Sequence, residues 1–455
     1  MTPAAQSLSQ RSLRSVWHPC TQMKQHERLP PLAIARGQGV WLYDADGKRY
    51  LDGISSWWVN LFGHANPRIN AALVDQLGTL EHAMISGSTH APVVELSERL
   101  SALTGGVLGH AFYASDGASA VEIALKMSAH YWRNSGRPDK HQFVYLAQSY
   151  HGETMGALSV TDVDIFRHAY QPLVRQTHIA PSPDARLAAT PQLAAQQAAQ
   201  AMEALLQQHG STIAAVIVEP LVQCATGMAM HDPDYLRQLR ALCDRYQVHL
   251  IADEIAVGCG RTGSFFACEQ AGIWPDFITL SKGISGGYLP LSLVLTHDSI
   301  YQAFYDDDVR TAFLHSHSYT GNPLACRAAL ACLDIFESEN VLARNQLLGE
   351  QMAQALQPLA QHPAVRQVRR QGMIWACDID PAAIPEQSAD DARNGMAGGT
   401  FSQRYHLAAR QRGLLLRPIG NTLYLMPPYV LNPDELQHLA DGALGSLLDV
   451  LEPAA

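Results

Sequence analysis

Between residues 109 and 296 the chain alternates short apolar runs with stretches of helical periodicity. HQFVYLA (141–147), STIAAVIVEP (211–220), VHLIADE (248–254), DFITLS (276–281) and LPLSLVLT (289–296) read as strands. They are apolar nearly throughout rather than alternately, the pattern of strands covered on both faces. GHAFYAS (109–115) reads as a further strand leading into a helix, GASAVEIALKMSAHYWRN (117–134). DPDYLRQLRALCDRY (232–246) has apolar residues at helical spacing behind an Asp-Pro start. The Ala/Gln-rich stretch 185–208 predicts an exposed helix. Strands alternating with helices predict an α/β fold, a mostly parallel central sheet with helices on both faces. Ligands in such sheets bind at the carboxyl ends of the strands.

The texture differs on either side of this region. GVWLYDADGKRYLD (39–52) places an Asp-Gly turn between two strand-like runs, a hairpin signal. After residue 340, RQVRRQGMIWACDID, a polar stretch at 380–400 and LLLRPIGNTLYLMPPY predict a smaller α+β unit. The first fifteen residues hold two arginines, no acid and no apolar core, so they predict a loose tail and not a secretory signal. No apolar run approaches the roughly 18 residues of a membrane span.

Composition narrows the function classes. The 32 Lys+Arg against 42 Asp+Glu leave a formal charge of −10, which argues against nucleic acid as the main partner. Charged residues make up 16%, well below the usual quarter or so, which fits a body with much hidden surface, as in an oligomer. Eight cysteines are scattered without a C-x-x-C pair, the usage of reduced thiols in a cytosolic protein.

Three local patterns resemble chemistry but lack its context. Gly258 to Gly263 satisfies G-x-G-x-x-G, yet it follows its strand at a distance and opens no helix, so a turn is preferred over a dinucleotide loop. Gly283 to Gly287 satisfies G-x-S-x-G, with acids at Asp306–Asp308 and histidines at His315 and His317 in triad order. A strand rather than a helix follows, against a serine hydrolase. His315 and His317 have no second pair at metal-ligand spacing, and no metal site is expected.

Four other features carry little alone and much together. Asp253 closes an apolar strand, where it is equally a cap or an ion-pair partner. Lys282 follows a second strand, where it must snorkel or be used. Asp116-Gly117-Ala118-Ser119 opens a long helix, an ordinary cap or an anion site. Tyr150-His151-Gly152 follows a third strand, an aromatic placed to pack or to stack on a flat ring. Pyridoxal 5'-phosphate asks for all four: a lysine for a Schiff base, an acid for its ring nitrogen, a helix N-terminus for its phosphate and a ring against its face.

On IADEIAVGCGRTG (251–263), LSKGISGG (280–287) and TGNPLAC (320–326), the chain resembles the class III, fold type I, pyridoxal-phosphate aminotransferases over nearly its whole length. Trp17-His18-Pro19, Ser55-Ser56-Trp57-Trp58, the stretch 413–420 with Arg417, and YLMPPY (424–429) resemble the branch serving biotin biosynthesis. The resemblance implies a large cofactor domain at 66–338 and a small domain built from 1–65 and 339–455. It implies a cytoplasmic homodimer with shared active sites and no nucleic-acid or membrane partner. The implied substrates are 8-amino-7-oxononanoate and, as amino donor, S-adenosylmethionine, with ping-pong transfer. Lys282, Asp253 and Tyr150 would be catalytic; Gly117, Ala118, Tyr150, Asp253, Lys282 and Ser318 would hold the cofactor, Ser318 from the neighbouring subunit. Trp57, Trp58, Tyr150, Ser316, Arg417 and Tyr424 would line the substrate pocket. Three positions depart from the family pattern. Ala118 lacks a phosphate-binding hydroxyl that Ser119 is placed to supply, Ser318 stands for Thr, and Cys20 stands for a tyrosine of that branch. The alternatives are another class III ω-amino acid or amine:pyruvate aminotransferase, the serine hydrolase, and a non-catalytic cofactor-binding regulator. The last would carry a basic DNA-binding segment, which the sequence lacks.

Overall fold

The computed structural model describes residues 7–27, 29–385 and 400–451. Most of the polar stretch predicted at 380–400 lies outside them. Seven strands form the central sheet: β1 (His110–Ala114), β2 (Gln142–Leu146), β3 (His178–Ala180), β4 (Ile213–Val218), β5 (His249–Asp253), β6 (Phe277–Leu280) and β7 (Ser292–Thr296). Their order is β1-β7-β6-β5-β4-β2-β3. The β6–β5–β4–β2–β3 pairings are parallel, and β7 runs antiparallel to both its neighbours. The apolar runs thus read correctly as doubly covered strands: every residue of β4, β5, β6 and β7 is buried.

Helix Gly117–Asn134 packs a face of Val121, Ala124, Leu125, Ser128 and Trp132 inward, the helical spacing seen in the sequence. Asp116 caps it by accepting the Ser119 N–H. Helix Pro191–His209 is only half exposed. Ala194, Ala195, Ala198, Ala199, Met202 and Leu206 form a buried stripe, because small alanines let it lie close against helix Pro233–Tyr246. The expected exposed helix at 185–208 is corrected to that extent.

Three smaller sheets are described besides the central one, the least of them the pair Val222–Gln223 and Ala229–Met230. Ile34–Gln38, Trp41–Asp44 and Arg49–Asp52 form the predicted hairpin region, and Leu414–Leu415 adds to Arg49–Asp52 in parallel. Val365–Gln371, Ile374–Ile379 and Thr422–Leu425 make an antiparallel three-stranded sheet. Residues near both chain ends therefore share one sheet. The N-terminal stretch is not all tail: Leu8–Ser15 is a helix closed by a Ser7–Gln10 capping box, with no buried residue. Among the described residues, no helix is long and apolar enough to cross a membrane.

Candidate active site

A cavity of about 420 Å³ opens at the carboxyl ends of the parallel strands. Five strand ends deliver a side chain or turn to it. Asp116, Gly117 and Ala118 follow β1, Tyr150 to Thr154 follow β2, and Glu219 follows β4. Asp253 closes β5, and Lys282 follows β6. Five predicted cofactor residues, Gly117, Ala118, Tyr150, Asp253 and Lys282, thus meet in one space, with Trp58 on its wall.

Asp253 is nearly fully buried and its carboxylate is held on both oxygens. Oδ1 accepts from the Ile255 N–H at 3.1 Å and the Thr279 hydroxyl at 3.2 Å. Oδ2 lies 2.7 Å from His151 Nδ1. A carboxylate only accepts, so Nδ1 carries the proton that is donated. His151 Nε2 is buried without a hydrogen-bond partner, leaving polar capacity at the cavity wall.

Glu219 accepts the N–H groups of Tyr150, at 3.0 Å, and Cys224, at 3.1 Å. Burial pushes its carboxyl up to about 7, against the His151 attraction that lowers it, with Asp253 adding repulsion. Lys282 opens a 3-10 turn with φ of 45°, in the left-handed region that L residues rarely adopt. Burial lowers its pKa, while Asp253, Cys224 and Glu219 pull it back up. Its ammonium lies 5.4 Å from the Trp58 ring centre. An amine with a lowered pKa beside a buried acid pair is an arrangement typical of functional sites.

At the mouth, the first two N–H groups of helix Gly117–Asn134, those of Gly117 and Ala118, have no intrahelical partner and line the cavity. The chain crowds closely here. A Cβ on Gly117 would come within 3.0 Å of Ile255, and Gly152, at φ 120°, packs its Cα where a Cβ would lie 2.6 Å from that of Ala118. Ser119 does not replace the hydroxyl missing at Ala118: its N–H and Oγ both donate to Asp116, at 2.9 and 2.8 Å. The Tyr150 hydroxyl donates to Glu153 at 2.9 Å, and its ring packs on Phe166 at 5.6 Å.

The predicted substrate residues divide. Trp58 lines the cavity, and its Nε1 donates to the Tyr424 hydroxyl at 3.2 Å. Tyr424 is buried behind it, which pushes its phenol up to about 12. Trp57 is 39% exposed, and the Arg417 guanidinium lies over its ring at 5.2 Å. Arg417 lines a second cavity, of about 290 Å³. Cys20 is half-buried within electrostatic reach of Arg417 and Glu153, and burial raises its thiol pKa. Ser316 and Ser318 are exposed and do not line the cavity of their own chain.

The two other motifs find structural uses. Arg261, in the glycine-rich turn, is fully buried and donates to the carbonyls of Pro427 and Asn60, at 2.6 and 3.1 Å. Ser285 is buried and spends its hydroxyl on the Leu289 carbonyl at 2.6 Å, so it is no exposed nucleophile. The sequence reading missed Glu219 and the role of His151. The signal for Glu219 was present in VIVEP, an acid closing an apolar strand as Asp253 does.

The chain belongs to the class-III aminotransferase family, whose model matches residues 22–444. It is 43% identical to the adenosylmethionine-8-amino-7-oxononanoate aminotransferase of Helicobacter pylori over 98% of both chains. Its structure superposes on the Methanocaldococcus jannaschii enzyme of the same name with a TM-score of 0.89, at 32% identity, covering 97% of this chain and 99% of that one. It superposes equally on an amine transaminase of an uncultivated Pseudomonas species in PLP-bound form, with a TM-score of 0.88 at 33% identity, over 96% and 99% of the two chains. The fold is that of the pyridoxal-phosphate transaminases, the chain is such an enzyme, and its cofactor is pyridoxal phosphate. The cavity fits that group: a buried carboxylate, an amine, unpaired helix N–H groups and an aromatic wall converge on it.

Proposed function

We propose that this enzyme converts 8-amino-7-oxononanoate to 7,8-diaminononanoate in biotin biosynthesis, with S-adenosylmethionine as amino donor. The observation that carries the substrate reading is the likeness over nearly the full length of both chains to enzymes of that name. The geometry supports it through Arg417 and Trp57, a charged fork beside an apolar wall. Such a pair suits a long apolar substrate ending in a carboxylate.

When bound, pyridoxal phosphate supplies an electron sink next to the carbon that gains or loses the amino group. Asp253 would hold the proton on the ring nitrogen, because an opposite charge in a dry site favours the cation. His151 and Thr279 hold that carboxylate in place. The Gly117 and Ala118 N–H groups would bind the phosphate, and the Tyr150 ring would stack against the cofactor. Lys282 would hold the resting cofactor covalently; once the incoming amine takes its place, the freed Nζ, its pKa lowered by burial, would move the proton at the reacting carbon. Trp57, Trp58 and Tyr424 form the apolar side of the substrate pocket, with Ser316 at its edge. The protein acts in the cytoplasm as a homodimer in which Ser318 reaches the phosphate of the other copy. In this reading residues 66–338 form the cofactor domain, and 1–65 with 339–455 form the smaller one.

The test supplies 8-amino-7-oxononanoate with S-adenosylmethionine or lysine and follows diaminononanoate. Product with S-adenosylmethionine is expected. No product from either donor, with efficient amino transfer to pyruvate, would assign the chain to the ω-amino acid or amine:pyruvate branch instead.

A further inference from the structure

Four successive residues, Ser55, Ser56, Trp57 and Trp58, have φ of 52°, 47°, 72° and 74°. None is glycine. For L residues this region crowds Cβ against the following carbonyl oxygen, so it persists only where the surroundings enforce it. The turn carries both tryptophans of the proposed substrate wall.

Asp52 supplies the enforcement. It is 1% exposed, and its Oδ1 accepts the Ser56 N–H at 2.8 Å. Its Oδ2 accepts the Ser56 hydroxyl at 2.7 Å and faces His64 Nε2 at 2.9 Å. The direction of that last bond follows from the next links. The Gly63 N–H donates to Asn60 Oδ1 at 2.8 Å, which turns Asn60 Nδ2 toward His64 Nδ1 at 3.2 Å. An amide nitrogen only donates, so Nδ1 accepts and the ring proton sits on Nε2, facing Asp52. The Ser55 hydroxyl donates to the Met426 carbonyl at 2.7 Å, anchoring the other end of the turn.

We propose that Asp52 is a positioning residue for substrate specificity: its carboxylate, oriented by His64 and Asn60, holds Ser56 left-handed and so sets Trp57 and Trp58 against the substrate. It does not line the cavity and acts only through the turn. The inference rests on the substrate reading above.

Asp52→Asn is the sharp variant, because its amide would set Nδ2–H against the His64 Nε2–H while nearly conserving shape. In the holoenzyme, KM for 8-amino-7-oxononanoate is expected to rise about tenfold, with kcat within about twofold and the cofactor's visible absorbance unchanged. Adding Ser56→Gly, which adopts positive φ without strain, is expected to restore most of the KM. An unchanged KM, a loss confined to kcat, or no rescue by glycine would overturn the proposal. If Asp52→Asn does not fold, Ser56→Ala removes only the hydroxyl contact and is expected to shift KM the same way by less; no shift would overturn it. Hydrogen exchange of the 53–61 amides needs no substrate and is expected to quicken in Asp52→Asn. Unchanged exchange would overturn the proposal even if the substrate reading holds. Quickened exchange in an enzyme that ignores 8-amino-7-oxononanoate would instead overturn the substrate reading alone.

Discussion

The cofactor floor and the tryptophan wall bound the same site but are built differently. The floor stands on regular strands. Asp253 is the last residue of its strand and Lys282 stands two residues past the end of the adjacent parallel strand, where the ladder of Ala252–Ile278 and Asp253–Thr279 sets their spacing. The wall stands on an irregular left-handed turn, held locally by Asp52 and by remote partners, Met426 for Ser55 and Tyr424 for Trp58. A floor of this kind is rigid because β4, β5, β6 and β7 are buried along their whole length. The wall depends on a few polar contacts between distant segments, so it is the part through which substrate choice can vary while the chemistry stays constant.

The contrast can be broken most severely at the floor. Lys282→Ala is expected to lower turnover by about 10³-fold or more and to remove the cofactor's visible absorbance band, with the fold intact by circular dichroism. Activity near wild type would mean that the floor is not where the chemistry occurs. At the wall, Arg417→Ala is expected to raise KM for 8-amino-7-oxononanoate about 10- to 100-fold, the loss of a charge-assisted pair, while leaving the donor half-reaction nearly unchanged. Equal effects on both substrates, measured by half-reaction kinetics, would remove Arg417 as the carboxylate clamp.

The floor also predicts a pH signature. The Glu219 carboxyl is raised to about 7 in the folded protein by burial, so the unfolded chain gives up this proton at lower pH. The group's stabilising contribution is therefore full below about 4.5 and is lost as pH rises through about 7. Relative to Glu219→Gln, wild type should lose up to about 3 kcal/mol across that window, read by urea denaturation at a series of pH values. A constant difference would show that Glu219 is ionised throughout. The mildest change is Tyr424→Phe, which strands the Trp58 indole N–H. It is expected to cost about 1 kcal/mol of stability and to raise substrate KM a few-fold, with kcat unchanged.

Legibility follows the same division. β4, β5 and β6 were readable because doubly buried parallel strands must be apolar throughout, and an acid or a lysine at their ends stands out. Asp253 and Lys282 were found by that contrast, and Glu219 in VIVEP carried the same signal. The Asp116 cap was readable because helix starts have local chemistry. The Pro191–His209 helix was misjudged as exposed because alanine is indifferent between surface and close packing. The left-handed turn at Ser55–Trp58 was hidden, since nothing in Ser-Ser-Trp-Trp announces positive φ, and local propensity opposes it.

Local periodicity and strand-end chemistry along the chain specify the sheet, its ligand-bearing edge and the residue types for an amino-transfer cofactor. Tertiary packing alone brings His151 against Asp253, ties the Ser55 hydroxyl to the Met426 carbonyl and sets the Trp58 indole on Tyr424. Each of those contacts joins groups whose pairing depends on distances and proton directions that no spacing along the chain encodes.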